Sequence, residues 1–595
     1  MALPHVGRTD TRMSGVTAFA GYNHNLRIMD NEFYDMENMT GARLPVASPR
    51  RRRAVLRTIE KPNGLFAHEE LCWVDGTDFY YGGEIIGTVA DSEKQFVRMG
   101  AYVLIWPDKV YYNTHTNEYG ELEAFAKTSG EVHCQLCRND GTAYGDYAVQ
   151  EDPPEEPENG DLWMDISVSP NILRQYSGAS SMWTSIPTVY TMITAEGIGK
   201  DFETFDGVTI EGFVDGVGDL DGDLNGDYYL IGRGDDYIII TALIVQAFMQ
   251  TEPVTVARRV PDMDFVFEND NRIWGCSSAA HEIYACALGD PKNWNAFLGL
   301  STDSYAMTVG SGGDFTGACA HLGNMFFFKE NIIHQMMGTK PANFQLQSTR
   351  SRGVGRGSAK SLCVVNETLF YRSANDVCAF GAALPSGISR PLGEAVYSDA
   401  VGGALNGVYY LCMTEGERRV LFTYDTNTGV WCREDETDVR WFATLGGELY
   451  FIGASPFHDT EGKGNPEGGA LCTVHGGGMD AYGDETATLE PPVSWMLETG
   501  DIGLDEPYGK YITGVQLYAR AALGVTVTIE VQYDGYGMWA EVYRSAPVQQ
   551  GSLVLPLASR RCRTLKMRFR GQGDFWLYAI TWKTEQGGEK HGSPR

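Results

Sequence analysis

Four stretches of this 595-residue chain hold residue types that do chemistry at close spacing. Cys134 and Cys137 have the two-residue gap of a zinc knuckle, but no second Cys pair or His pair follows nearby, so ordinary thiols are the simpler reading. Asp221, Asp223, Asn225 and Asp227 alternate like the first positions of a calcium loop, with Gly226 at the turn. The twelfth position is Gly232 where a bidentate carboxylate is needed, so the loop is incomplete and a polar turn serves as well. Ser351–Ser358 (SRGVGRGS) is glycine-rich and basic, but it lacks the Lys-Ser/Thr ending of a phosphate loop. Arg350, Arg352 and Arg356 instead make it a local cationic segment. Arg50–Arg53 is a run of four arginines, suited to solvent, to an acidic neighbouring subunit or to nucleic acid, with the overall charge favouring the neighbour over nucleic acid. Trp163 and Trp183 are candidates for glycan contact, although a buried core is the commoner fate of tryptophan. No nucleophile elbow, zinc-protease or dinucleotide fingerprint is present, and the reading is of no catalytic residues, no committed metal site and no cofactor.

The elements that must carry these residues are short strands. Asn271–Trp294 (NRIWGCSSAAHEIYACALGDPKNW) reads as strand, turn, strand and a proline stop. Similar units recur: LCWVDGTDFYYGGEIIG, MGAYVLIWPDKVYYN, HLGNMFFFKENIIHQ, VNETLFYRSANDVCAF, LNGVYYLCMTEGERRVLFTYD and LGGELYFIG. The turn residues Asn271, Asn324, Glu367, Asn406 and Gly447 are 53, 43, 39 and 41 residues apart. A period near 40 with several strands per unit is that of propeller blades. Between Gly100 and Asn271 the chain is much longer than one unit, and the acidic, proline-rich Glu151–Asp161 opens an inserted, tryptophan-bearing β-module.

The expected fold is therefore all-β. Residues 1–130 supply an N-terminal arm and the first blades of a six- to seven-bladed β-propeller, 131–255 the inserted module or modules, and 256–490 the remaining blades. Residues 491–595 form a C-terminal β-sandwich and a tail. In Val525–Tyr533 the alternate residues Val525, Val527, Ile529, Val531 and Tyr533 share one face, as a half-buried strand requires.

Composition bounds the function. A net charge of −31 opposes nonspecific nucleic-acid binding by the chain as a whole and favours solubility. Twelve dispersed cysteines in apolar runs read as buried small hydrophobes made in a reducing compartment. The N-terminus shows no secretory leader, and the longest apolar run, Tyr237–Met249, is too short to span a bilayer. A soluble chain made in the cytoplasm is expected.

The Asn271–Trp294 stretch resembles one found in phage and prophage tail nozzle, or tail stabilisation, proteins. GYNHNLRIMDNEFYDMENMTG followed by SPRRRRAV resembles their N-terminal segment. KYITGVQLYARAALGVTVTIEVQYDGYGMW with RTLKMRFRGQGDFWLYAI resembles their C-terminal β-domain, and PENGDLWMDISVSPNILRQYSGASSMW resembles inserts in such prophage proteins. The resemblance implies a structural virion protein of the tail. It would form a cyclic homo-oligomer, often six-fold, around the DNA channel, between a head–tail adaptor and distal fibre or tip proteins. It brings no catalytic residues. An acidic channel wall would let DNA pass, and Arg50–Arg53 would meet an acidic neighbouring subunit. Two other readings stay open: a virion receptor-binding protein that uses the insert, and a carbohydrate-active propeller enzyme.

Overall fold

The computed structural model describes residues 11–214, 224–381, 383–454, 468–478, 487–505, 508–545, 551–558 and 560–586. Among them there is no α-helix, only strands and four short 3-10 turns. The fold is all-β and is built from many small antiparallel sheets. Two compact units result: one of Met1–Lys94, Phe326–His334 and Ser348–Arg595, the other of Gln95–Met325 and Gln335–Gln347.

The first unit contains a tandem series of four-stranded meanders. One runs through Pro62–His68, Glu70–Asp75, Asp78–Tyr81 and Glu84–Thr88. A second contains Thr368–Arg372 and Val377–Phe380, and a third runs from Tyr397–Leu405 to Val430–Arg433. The sheet of Val439–Leu445, Glu448–Gly453 and Gly469–Thr473 does not end with its own segment. Its next strand is Ala54–Ile59, delivered from the other end of the sequence, with Thr473 opposite Ala54. The second unit contains the meanders Gln95–Glu121 and Phe265–Thr308, which share a core around Trp106, Ile273 and Trp294.

One turn recurs through the series. The pairs Asp270–Asn271, Leu322–Gly323, Asn366–Glu367, Asn406–Gly407 and Gly446–Gly447 all have positive φ at both positions. That is the two-residue turn whose twist matches antiparallel strands. The period near 40 read from the sequence is the return of this turn.

The unit of 95–325 also contains an eight-stranded sheet between residues 124 and 258. Its order is Ala124–Lys127, Thr255–Arg258, Gly207–Glu211, Gly226–Gly234, Tyr237–Ile240, Tyr190–Thr194, Val132–Cys137 and Phe248–Gln250. A smaller sheet of Ala148–Gln150, Leu162–Asp165, Ile172–Ser177 and Met182–Ser185 packs on the same core through Met164 and Leu173. The long apolar run at 237–249 thus divides into two strands, Tyr237–Ile240 and Phe248–Gln250, and no helix among the described residues is long and apolar enough to cross a membrane.

Two further sheets lie in the first unit and share one hydrophobic core. One is Thr11–Val16, Phe575–Gln586, Lys510–Ala521 and Gly551–Val554, with Arg561–Cys562 alongside. The other is Phe33–Glu37, Ser494–Thr499, Leu565–Gln572, Val527–Tyr533 and Ala540–Ser545. Val525, Val527, Ile529 and Val531 are buried there, as their alternation requires. The N-terminal segment is no free arm, since two of its strands are edges of these sheets.

Candidate functional site

The arginine run divides by burial. Arg51 and Arg52 are exposed, whereas Arg53 is fully enclosed and Arg50 nearly so. Arg50 grips Glu490 with two parallel bonds, Nη1 to Oε2 at 2.7 Å and Nη2 to Oε1 at 2.9 Å, and its Nε donates to Asn38 Oδ1 at 2.7 Å. Arg53 donates from Nη2 to Glu434 Oε2 at 2.6 Å and from Nη1 to Asp435 Oδ2 at 2.8 Å and Thr437 Oγ1 at 2.6 Å. Glu490 Oε2 also accepts from the Arg53 backbone N–H at 3.0 Å. Three distant segments are thereby tied together at the entrance of strand Ala54–Ile59. The expectation that this run reaches to a neighbouring subunit is corrected for Arg50 and Arg53: their acidic partners lie in the same chain.

Burial and charge compete in this cluster. Burial favours the protonated form of Asp435, but Arg53 and Arg50 overcome it and hold the carboxyl at about 2. Glu490 is likewise held low, against its burial, by the hydrogen bonds and charge of Arg50. Burial wins at Glu434, which is raised despite both arginines.

The glycine-rich segment has a structural use. A Cβ on Gly353 would sit 1.9 Å from the Lys329 carbonyl oxygen, so only glycine fits there. Its backbone N–H donates to Glu330 O at 2.9 Å, and that of Gly355 to Arg372 O at 2.8 Å. These N–H groups are spent within the fold and do not cradle a phosphate. Arg352 pairs with Asp376 and donates to Pro385 O at 2.8 Å. Arg356 is exposed and lies 3.4 Å from Glu330 Oε2, and Arg350 is exposed.

Of the calcium candidates, Asp221 and Asp223 lie outside the described residues. Asn225 is tied by both side-chain atoms to the Phe213 backbone, at 2.8 and 2.9 Å, and Asp227 Oδ1 accepts from Thr209 Oγ1 at 2.7 Å. Cys134 and Cys137 are buried free thiols three apart on one strand, which directs them to opposite faces. Burial pushes them up to about 12 and about 11. Among the described residues no three His, Cys, Asp or Glu side chains gather as a metal site.

Trp163 is 5% exposed, with its Nε1 donating to Gln150 O at 2.9 Å. Trp183 stands edge-on to it at 5.4 Å and is half-buried. The structure brings the two together on one face of the small sheet.

The sequence reading passed over one surface feature. Residues 23–32 form a loop along an open groove of about 1190 Å³, with Arg390, Glu394, Asp501 and Asp505 on its other walls. The loop is firmly held: Tyr22 N donates to Trp431 O at 2.7 Å, His24 N to Pro391 O at 2.8 Å, and Met29 N to Glu32 Oε2 at 2.7 Å. From this fixed backbone Leu26 and Met29 project into solvent, 95% and 71% exposed. Leu26 and Met29 stand three residues apart in this hydrogen-bonded loop and are among the large apolar side chains that the described residues leave exposed. The signal in the sequence was Leu26–Met29 itself, an apolar cluster between polar turns.

No family model and no curated protein matches the chain. Among solved structures, similarity is found to an exo-β-1,3-galactanase from Phanerochaete chrysosporium, with 9% identity over 53% of this chain and 94% of that one, at a TM-score of 0.21. Hsv2 from Kluyveromyces lactis gives 11% identity over 33% and 60%, at a TM-score of 0.24. At such scores neither likeness carries an argument about function.

Proposed function

We propose that this chain is a structural subunit of a phage tail that forms a cyclic homo-oligomer around the DNA channel and joins an adaptor to distal tail parts. The observation that carries the reading is the rigid loop 23–32 with Leu26 and Met29 held in solvent. It lies in the segment GYNHNLRIMDNEFYDMENMTG, which resembles the N-terminal segment of tail nozzle proteins. In this reading the tandem four-stranded sheets are blades of a six- to seven-bladed propeller, and strand Ala54–Ile59 completes the blade of Val439–Thr473. The two sheets of the C-terminal region form a sandwich. Arg50 and Arg53 lock the closure from inside, Arg52 adds a bond from Nε to the Glu490 carbonyl, and Arg51 is left for outside contacts. The net charge of −31 keeps DNA from adhering during passage.

Negative-stain imaging and light scattering of the purified chain test this reading. Rings of uniform subunit number are expected, and Leu26→Asp with Met29→Asp should leave folded monomers. A monomeric wild-type chain at micromolar concentration overturns the proposal, as does a ring indifferent to both substitutions.

A further inference from the structure

The small sheet of Ala148–Ser185 has two differently built faces. Strand alternation and register place Met164 and Leu173, which are paired, on the face buried in the core. The same register places Trp163 opposite Arg174 and Tyr176 opposite Trp183 on the other face. A surface sheet ordinarily carries polar side chains there. This one carries an aromatic cluster, with Trp163 edge-on to Trp183 and Tyr176 tilted against Trp183 at 5.3 Å. Trp163 is the buried support: its ring is fixed by the bond to Gln150 O and covered by the Arg174 guanidinium at 5.7 Å. Trp183 and Tyr176 are half-buried, with part of each ring open to solvent. Neither the Trp183 Nε1 nor the Tyr176 hydroxyl has a hydrogen-bond partner among the described residues. Arg174 spends its Nε on Asp165 at 2.8 Å and keeps both Nη groups available.

We propose that this face is a binding platform for a neutral oligosaccharide, with one pyranose ring stacked on Trp183. A pyranose presents an apolar C–H face ringed by hydroxyls, and it needs an aromatic plane with hydrogen-bonding groups at the edge. Trp183 supplies the plane, and Tyr176, Arg174 and the Trp183 N–H supply the edge. The surroundings argue against a protein partner. The turn and flanks are dominated by the small hydroxyl residues Ser177, Ser180, Ser181, Thr184 and Ser185, and the one large apolar side chain exposed among them, Met182, lies on the face opposite Trp183, so the rim is not that of a protein hot spot. Polyanions are disfavoured by the exposed acidic residues of Glu151–Glu158 in the same module and by the charge of the whole chain. Phosphorylated or uronic-acid glycans and nucleic acids are thus poorer ligands than neutral sugars. The proposal rests on this module alone and holds whether or not the chain forms rings.

The test uses the full-length chain on a printed array of neutral and acidic bacterial oligosaccharides, followed by titration of the strongest neutral compound with tryptophan fluorescence as readout. Binding to neutral glycans is expected. Trp183→Ala should weaken it at least ten-fold and Tyr176→Ala several-fold, while Trp183→Phe keeps part of it. Thermal unfolding identical to wild type shows that these variants are folded, and Leu26→Asp should bind glycan as the parent does. Absence of any neutral-glycan signal from the wild type overturns the proposal, as does a signal that survives both Trp183→Ala and Tyr176→Ala.

Discussion

Removing the Arg53 side chain would leave Glu434 and Asp435 buried beside a cavity with one fewer cation. Arg53→Met is therefore expected to destabilise the chain by about 3–5 kcal/mol, the cost of an uncompensated buried charge. Arg51→Ala, on the exposed side of the same run, should change stability by less than about 0.5 kcal/mol. Urea unfolding of the two variants gives the comparison, and equal effects would contradict the burial pattern. The pH dependence follows from Asp435. Its ordinary value of 3.8 is lowered to about 2 in the fold, so its contribution is complete above pH 4 and is lost as pH falls from about 4 to about 2. The loss is about 2 kcal/mol. Glu490 acts in the same direction and Glu434, raised in the fold, in the opposite one. Thermal unfolding followed from pH 5 to pH 2.5 should show a steeper decline for the parent than for Asp435→Asn. At this scale the sequence displayed four arginines but not which were buried. That depended on Glu434, Asp435 and Glu490, more than 380 residues away.

Strands and their turns were far more legible, because both obey local rules. Alternation in Val525–Tyr533 and the repeated turn were visible in residue types alone. The strand partners were not. Nothing local in Ala54–Ile59 says that it pairs with Gly469–Thr473, and nothing in Thr11–Val16 announces Phe575–Gln586. The repeated turn also yields a prediction. Glu367 holds φ at 65° on the second position of its turn, where the other turns at 323, 407 and 447 have glycine. A side chain there costs about 1 kcal/mol, so Glu367→Gly should stabilise the chain by roughly that amount. Thermal unfolding of this exposed-site variant measures it, and a decrease would mean that the Glu367 side chain contributes more than its backbone conformation costs.

At the scale of the whole molecule, charge and apolar contact oppose each other. Each chain carries −31, so neighbours in the proposed ring would repel, and uncharged groups such as Leu26 and Met29 would have to supply the attraction. Ring assembly should therefore strengthen with ionic strength, because salt screens the repulsion and leaves apolar burial intact. Sedimentation at 50 and 500 mM salt is expected to show more assembled chain at the higher value. Dissociation by salt would mean that ion pairs, not apolar loops, hold the subunits. The sequence carried this balance in its composition. The position of the exposed loop became readable only once its anchors at Trp431 and Pro391 were known.

The pairing of Thr11 opposite Glu585 sets an order of events during synthesis. A ribosome releases residues 11–16 first and their neighbours last, so the edge strands Thr11–Val16 and Phe33–Glu37 wait unpaired while almost the whole chain is translated. The anchors of loop 23–32 lie between these strands and Trp431, so the loop takes its shape only late. A chain that stops before Phe575 lacks the partner of Thr11–Val16, and one that stops before Ser494 also lacks the partner of Phe33–Glu37. The strand on the N-terminal side of the loop is thus paired later in synthesis than the anchors at Pro391 and Trp431 become available.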